Sequence, residues 1–340
     1  MIKIKPFIVL GIILFAITLL VPTVLVLPFM QEKEENNLVN TKDIKKTSDS
    51  VIEVSVYREN KDEIEQLGLE EYVVGVVASE MPAKFEMEAL KAQALTARTY
   101  IVKRLMNNQK AESELPEEAI VGDSINYQVY NNRDELKKIW ESAGYDWQKN
   151  MQKIEEAVRA TEGQILTYEG DPIDATFFST SNGYTENSDA VWANSISYLK
   201  SVESPWDVDS PKFKGETTIS VADFEKTLGV SLAAGTKIID DVKYTVGKRI
   251  ASVKISGKEL TGTEIREKLQ LKSTDFTMIR KGDTIKITTR GYGHGVGMSQ
   301  YGANGMAASG KTYEDIVKYY YQGVEVTASK NLLNKYTAKK

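Results

Sequence analysis

The chain has 340 residues, 41% hydrophobic and 27% charged, a globular balance with apolar material for one large domain or two smaller ones. Its net charge of −5 removes the electrostatic case for nucleic acid. It has no cysteine, which excludes disulfides, thiolate nucleophiles and zinc–thiolate sites, and its single histidine, His294, cannot supply a cluster of imidazole ligands.

From Pro6 to Met30 the sequence PFIVLGIILFAITLLVPTVLVLPFM carries no charge. As a helix it would extend about 38 Å, enough to cross a hydrocarbon core of about 30 Å with some tilt. Lys3 and Lys5 precede it and QEKEENN follows, so residues 1–5 are expected in the cytoplasm and the rest of the chain outside. A cleaved signal peptide is the alternative. Its apolar stretch is normally shorter and ends in small residues, whereas this one ends VLPFMQEKEE. Residues 31–50 are polar and aperiodic and read as a linker. The folded region is expected over 51–328, with a polar tail over 329–340.

VIEVSVY (51–57) alternates and predicts a strand. LEEYVVGVVASEMP (69–82) predicts a short apolar helix stopped by Pro82. FEMEALKAQALTARTYIVKRL (85–105) predicts an amphipathic helix with Met87, Leu90, Ala94, Ala97 and Ile101 in its buried stripe. RDELKKIWESAG and MQKIEEAVRAT predict helices, and QILTY–EGDP–IDATFFS a hairpin. KGETTISVADFEKTLG predicts a strand and then a helix. KYTVGKRIASVKI and DFTMIRKGDTIKITT predict two further hairpins, with TGTEIREKLQL helical between them. Hairpins mixed with scattered helices argue an α+β fold rather than a doubly wound sheet. The fold expected is an ectodomain of helices and antiparallel hairpins with a substrate groove, carried on one N-terminal transmembrane helix.

GMAASGKT (305–312) matches the phosphate-binding pattern G-x-x-x-x-G-K-[ST] letter for letter. Such a loop must follow a buried strand and open a helix within a parallel sheet. The preceding GYGHGVGMSQYGAN is not a hydrophobic strand, and only 28 residues follow Thr312. No nucleotide is therefore expected. Thr312 is instead expected to N-cap the helix YEDIVKYYY, with Asp315 in its first turn and Gly323 at its C-cap.

Four features bear on chemistry. Glu80 follows a run of apolar and small residues and precedes Met81-Pro82. A poorly solvated carboxyl there would have the raised pKa of a general acid; a helix-end glutamate in solvent is the plainer reading. Arg98, at the edge of the amphipathic stripe, is either a flanking arginine covering apolar surface or a group that binds a carboxylate or orients Glu80. STSNGYTEN (179–187) concentrates hydroxyls and amides that suit sugar recognition and ordinary turns equally. GYGHGVGMSQYGANG alternates glycine through Gly291, Gly293, Gly295 and Gly297, which suits close backbone approach; His294 within it is read as site or scaffold alike.

ASEMP, ALKAQALTARTY, SNGYTEN and GYGHGVGMSQYGANGMAASGKTYEDIVKYYYQGVEV, in that order behind an N-terminal anchor, resemble the stage II sporulation protein D family of endospore-forming bacteria. The resemblance covers nearly the whole chain and absorbs the phosphate-loop match. It implies a lytic transglycosylase, anchored in the mother-cell membrane and facing the intermembrane space, that acts on peptidoglycan during forespore engulfment. The substrate implied is glycan stripped of stem peptides by the stage II sporulation protein P amidase, with stage II sporulation protein M as a further partner. The implied catalytic residue is Glu80. Arg98, Ser181, Asn182, Thr185, Tyr198, Lys200, His294 and Gln300 fall on implied substrate-binding positions. Some clostridial members hold zinc through Cys and His ligands; without them here, no metal or cofactor is expected. A non-catalytic wall-binding module that stimulates an amidase is the competing reading.

Overall fold

The structure is a computed structural model that describes residues 52–107, 115–233, 235, 237–330, 332 and 333. The apolar segment 6–30 and the linker 31–50 lie outside these residues. Among the described residues no helix is long and apolar enough to cross a membrane.

The first strands, β1 (Glu53–Arg58) and β2 (Glu63–Gly68), form an antiparallel hairpin, and β3 (Val121–Gly122) pairs parallel with β1 on its other side. Two helices follow at once: α1 (Leu69–Glu80) and α2 (Met87–Met106). Helix α1 is apolar on every side, and Leu69 and all residues from Tyr72 to Ala78 are buried, as an all-round hydrophobic helix requires. Gly75 lies under the Tyr130 ring, where a Cβ would approach a ring carbon to 2.3 Å. Helix α2 is buried far beyond its expected stripe. Ala89, Leu90 and every residue from Ala92 to Thr99 are buried, and Met87 is only half-buried. Small residues let neighbours close in from several directions.

Helices α3 (Arg133–Ser142) and α4 (Trp147–Ala160) pack on this pair and are capped by Asn132 and Asp146. The expected hairpin around EGDP is cut short. Strand β4 (Gln164–Tyr168) turns into β5 (Asp171–Pro172) for only two paired residues, and β14 (Glu325–Ala328) flanks β4 on the other side. The rest of the run leaves the sheet, and β6 (Phe177–Phe178) pairs parallel with β13 (Met298–Ser299) from the glycine-rich segment.

A second, smaller core is built by residues 214–290. Here β7 (Lys214–Ser220) leads into α5 (Val221–Leu228), and β8 (Asp241–Tyr244), β9 (Ile250–Ile255) and β10 (Lys258–Thr261) form one antiparallel sheet. After α6 (Gly262–Lys268), β11 (Asp275–Lys281) and β12 (Thr284–Arg290) form the second sheet with β7 at its edge. Phe224, Val253, Ile255, Ile265, Ile285 and Ile287 fill the space between. Antiparallel sheets mixed with separate helices match the α+β expectation.

The chain then returns to the first core through α7 (Gln300–Ala308) and α8 (Tyr313–Tyr320). Gly305 to Ala308, the start of the phosphate-loop match, are helix rather than loop. Thr312 caps α8 in a reciprocal box with Asp315, as expected. Gly323 does not cap it: the helix ends at Tyr320 with Tyr321 at the cap, and Gly323 takes φ +73° in the turn before β14.

Candidate active site

Glu80 is the last residue of α1 and reaches a cavity of about 340 Å³. Tyr100, Tyr127, Gln128, Asp174, Thr176 and His294 share the walls. The volume is in the range of small-ligand pockets. Oε1 of Glu80 accepts the Val129 N–H at 2.8 Å. Burial pushes the carboxyl above its usual value, and that N–H pulls it only partly back. The negative end of the helix dipole opposes ionisation in the same sense. Both effects shift the group toward its protonated form, the direction a general acid requires.

Asp174 brings a second carboxyl to the wall. Lys103 Nζ lies 2.6 Å from its Oδ1, and the Tyr198 hydroxyl donates to Oδ2 at 3.3 Å while accepting the Asp174 N–H at 2.9 Å. Gln128 accepts the Tyr72 hydroxyl at 3.3 Å, and its buried Nε2 has no hydrogen-bond partner among the described residues.

His294 is half-buried against Phe178 and Trp192, with ring centroids 5.7 and 5.4 Å away. Its Nδ1 accepts the Val296 N–H at 3.1 Å. Burial, then the field of Arg266, lowers its pKa to about 4, so the imidazole is neutral at neutral pH. The glycines around it let strands approach where no side chain fits. Gly293 has φ +121°, and a Cβ there would sit 2.7 Å from Phe178 Cβ; at Gly297, φ +80°, it would sit 2.1 Å from the Thr176 carbonyl oxygen.

Of the residues singled out from the sequence, Glu80 and His294 line the cavity. Two more touch it from behind: Tyr198 through Asp174, and Gln300, whose Nε2 donates to the Glu80 carbonyl at 3.0 Å. The remaining five are placed elsewhere. Arg98 has no exposed surface; it grips Glu70 at the start of α1 with contacts of 2.9 and 2.6 Å and also donates to the Gln164 and Val158 carbonyls. Ten residues of helix, about 15 Å, separate Glu70 from Glu80, so Arg98 neither orients the acid nor meets a ligand. Ser181 is sealed in a network on buried Asp207, which also binds Ser204 and Ser299. Asn182 Nδ2 ties the Gly247 carbonyl and Asp275, Thr185 is buried against the Lys200 and Val202 backbone, and Lys200 donates to Ser195. The hydroxyl-rich segment thus builds scaffold rather than groove.

Tyr100, Gln128 and Asp174 carried no local signal. Gln128 sits in an irregular segment, Asp174 in a run that read as strand, and Tyr100 on the half-buried edge of α2.

Comparison with known proteins bears on this geometry. A family model described as a stage II sporulation protein matches residues 57–168, which include Glu80, Tyr100 and Gln128. Over 339 residues the chain is 50% identical to the stage II sporulation protein D of Bacillus subtilis (strain 168), covering 96% of this chain and 97% of that one. The protein of the same description from Bacillus amyloliquefaciens is 49% identical with the same coverage. An amidase enhancer of Bacillus subtilis (strain 168) is 32% identical over 308 residues, 75% of this chain and 40% of that one.

Proposed function

The chain belongs to the stage II sporulation protein D family, and on that footing we propose that it is a peptidoglycan lytic transglycosylase whose acid and base is Glu80. The observation that carries the reading is the Glu80 carboxyl, shifted by burial toward its protonated form, on the wall of a cavity lined with aromatic and polar groups.

Glu80 donates its proton to the glycosidic oxygen between N-acetylmuramic acid and N-acetylglucosamine, and that bond breaks. The carboxylate left behind takes the proton of the muramic C6 hydroxyl, whose oxygen closes on C1 to give a 1,6-anhydro end. The nucleophile is tethered to its target, so no water needs activation and most of the entropy of approach is already met. Ordinary glycosidases use two flanking carboxyls. Here Asp174, held by Lys103 and Tyr198, opposes the positive charge that develops at C1. The substrate is glycan stripped of stem peptides. The enzyme works outside the membrane during engulfment, anchored by residues 6–30, beside the stage II sporulation protein P amidase and stage II sporulation protein M.

The test is mass spectrometry of fragments released from peptide-free glycan by the full chain in detergent. Anhydro ends are expected from the parent and none from Glu80→Gln; equal release by both would overturn the reading. Similarity to an amidase enhancer favours one competing reading, a wall-binding module that stimulates an amidase without chemistry of its own. On that reading Glu80→Gln would stimulate the amidase as well as the parent does, and neither would form anhydro ends.

A further inference from the structure

Cations in this fold are widely paired: Arg58 meets Glu65, Asp123 and Glu135, Arg98 meets Glu70, and Arg249 meets Glu186. Beside the glycine-rich segment three are not. Lys212 and Lys272 are exposed, and their Nζ atoms stand 5.4 and 4.8 Å from the centre of the Tyr292 ring. Arg266 is half-buried, and its Nε has no hydrogen-bond partner. Among the described residues none of the three has a carboxylate oxygen within 4.0 Å.

The backbone fixes this arrangement. Gly291 N–H donates to the Phe213 carbonyl at 2.7 Å and Gly293 N–H to the Lys272 carbonyl at 2.9 Å. Lys212 and Lys272 are thereby held on the two flanks of the short stretch that carries Tyr292. Two residues on, His294 lines the Glu80 cavity, at most about 7 Å further along the chain. Arg266 lies close enough to feel Glu267 and Tyr292 and to lower the His294 pKa, which places its charge in the same neighbourhood. The Tyr292 ring favours each ammonium, and no carboxylate among the described residues forms an ion pair with either. In a chain of net charge −5, this is a local site for an anion.

We infer that the Lys212–Tyr292–Lys272 face, with Arg266 behind it, is a subsite for a carboxylate on the glycan strand, the lactyl carboxylate of a muramic residue freed of its stem peptide. The inference rests on the proposed function and names the feature of the substrate that this face would read. The two ammonium groups at the Tyr292 ring supply the positive charge that such a carboxylate would meet.

The test is a binding measurement with the full chain in detergent, carrying Glu80→Gln so that the strands are not consumed. The probes are peptide-free glycan, the same glycan with its carboxylates converted to neutral methylamides, and polyglycerol phosphate. The Lys212→Ala, Lys272→Ala pair is expected to bind carboxylated glycan about three- to tenfold more weakly, with a shallower salt dependence. The neutralised glycan should bind pair and parent alike, and the Lys212→Arg, Lys272→Arg pair should keep the parental affinity. An unchanged affinity for carboxylated glycan in the alanine pair, or equal weakening on neutralised glycan, overturns the inference alone. Tighter, lysine-dependent binding of polyglycerol phosphate than of glycan also overturns it, because the anion is then a phosphodiester. Absence of any glycan binding by the Glu80→Gln chain overturns the proposed function together with the subsite.

Discussion

Gln300 donates its side-chain Nε2 to the backbone carbonyl of Glu80 at 3.0 Å, joining residues 220 positions apart. The carbonyl closes the last turn of α1, whose terminal groups have no partner within the helix. The glycine-rich C-terminal segment therefore does more than line a wall: it fixes the helix end from which the acid projects. Replacing Gln300 by Ala removes its hydrogen bonds to the Glu80 carbonyl and, more weakly, to Gln93 Oε1 from a buried position, and should cost about 1–2 kcal/mol of stability. Turnover should fall further than that, roughly ten- to hundredfold, because the acid loses its placement. Gln300→Glu keeps the size without the donor and should behave like the alanine variant; parental turnover in both would show that the contact does not position Glu80. Denaturant melts and glycan release measured on the same preparations separate the two effects.

Glu80 itself is held against its preference. Its folded carboxyl titrates above the usual value, so ionisation lowers the stability of the folded state, and that loss grows as pH rises through the folded pKa. Glu80→Gln keeps an oxygen for the Val129 N–H and removes the ionisation. The variant should melt higher than the parent at pH 7, with the gap closing as pH falls below the ordinary carboxyl range. Parental activity should decline as pH rises through the same pKa. A Glu80→Gln protein less stable than the parent at pH 7 would contradict the assignment of a desolvated acid.

Arg98 should be essential for folding rather than for contact with glycan. Removing it leaves Glu70 without its partner and opens a cavity at the junction of α1, α2 and α4. Truncating so large a buried side chain, with its bonds to two carbonyls, is strongly destabilising, so Arg98→Ala should melt well below the parent. Arg98→Lys should recover only part of the loss, since an ammonium cannot make the two-point contact with Glu70 and also reach the Gln164 and Val158 carbonyls. Activity per folded molecule should change little, measured by scaling glycan release to the folded fraction at low temperature.

Asp174 offers the opposite case, an effect on turnover with little on stability. The Lys103–Asp174 pair is partly exposed, so its loss should cost at most about 1 kcal/mol. On the proposed mechanism, Asp174→Asn keeps the shape and removes the charge that would face the developing cation; turnover should fall by about a hundredfold at an unchanged KM. Tyr198→Phe removes the hydroxyl that steadies Asp174 and should reproduce a fraction of that loss. Comparable kcat in the Asn variant and the parent would remove Asp174 from the mechanism.

His294 has a folded pKa of about 4, below the ordinary 6.5. Between these values the unfolded chain binds a proton that the folded protein does not, so stability falls as pH drops from about 6.5 towards 4 and is constant above. His294→Gln should lose less stability than the parent over that window in pH-dependent melts. It should also leave the shape of the rate–pH profile between pH 5 and 8 unaltered, because the neutral imidazole does not titrate there.

What the sequence by itself determined was local. Alternation and helical periodicity placed most strands and helices near their observed positions, since burial of one face follows from the spacing of apolar residues. Ser, Thr, Asp and Asn before helices became their caps, as at Thr312, because the bonds involved span three residues. The alternate glycines announced close backbone approach, and the motifs around Glu80 and His294 were specific enough to name a family. What only the tertiary structure decided was which polar side chains face the cavity. Arg98 and Ser181 carry the same groups a ligand site would use, and both are enclosed within the protein, on Glu70 and Asp207. Tyr100, Gln128 and Asp174 carry no such signature and yet meet at Glu80. A hydrogen-bonding group has the same chemistry whether it binds sugar or scaffold, and which it does depends on neighbours supplied by chain segments up to hundreds of residues away.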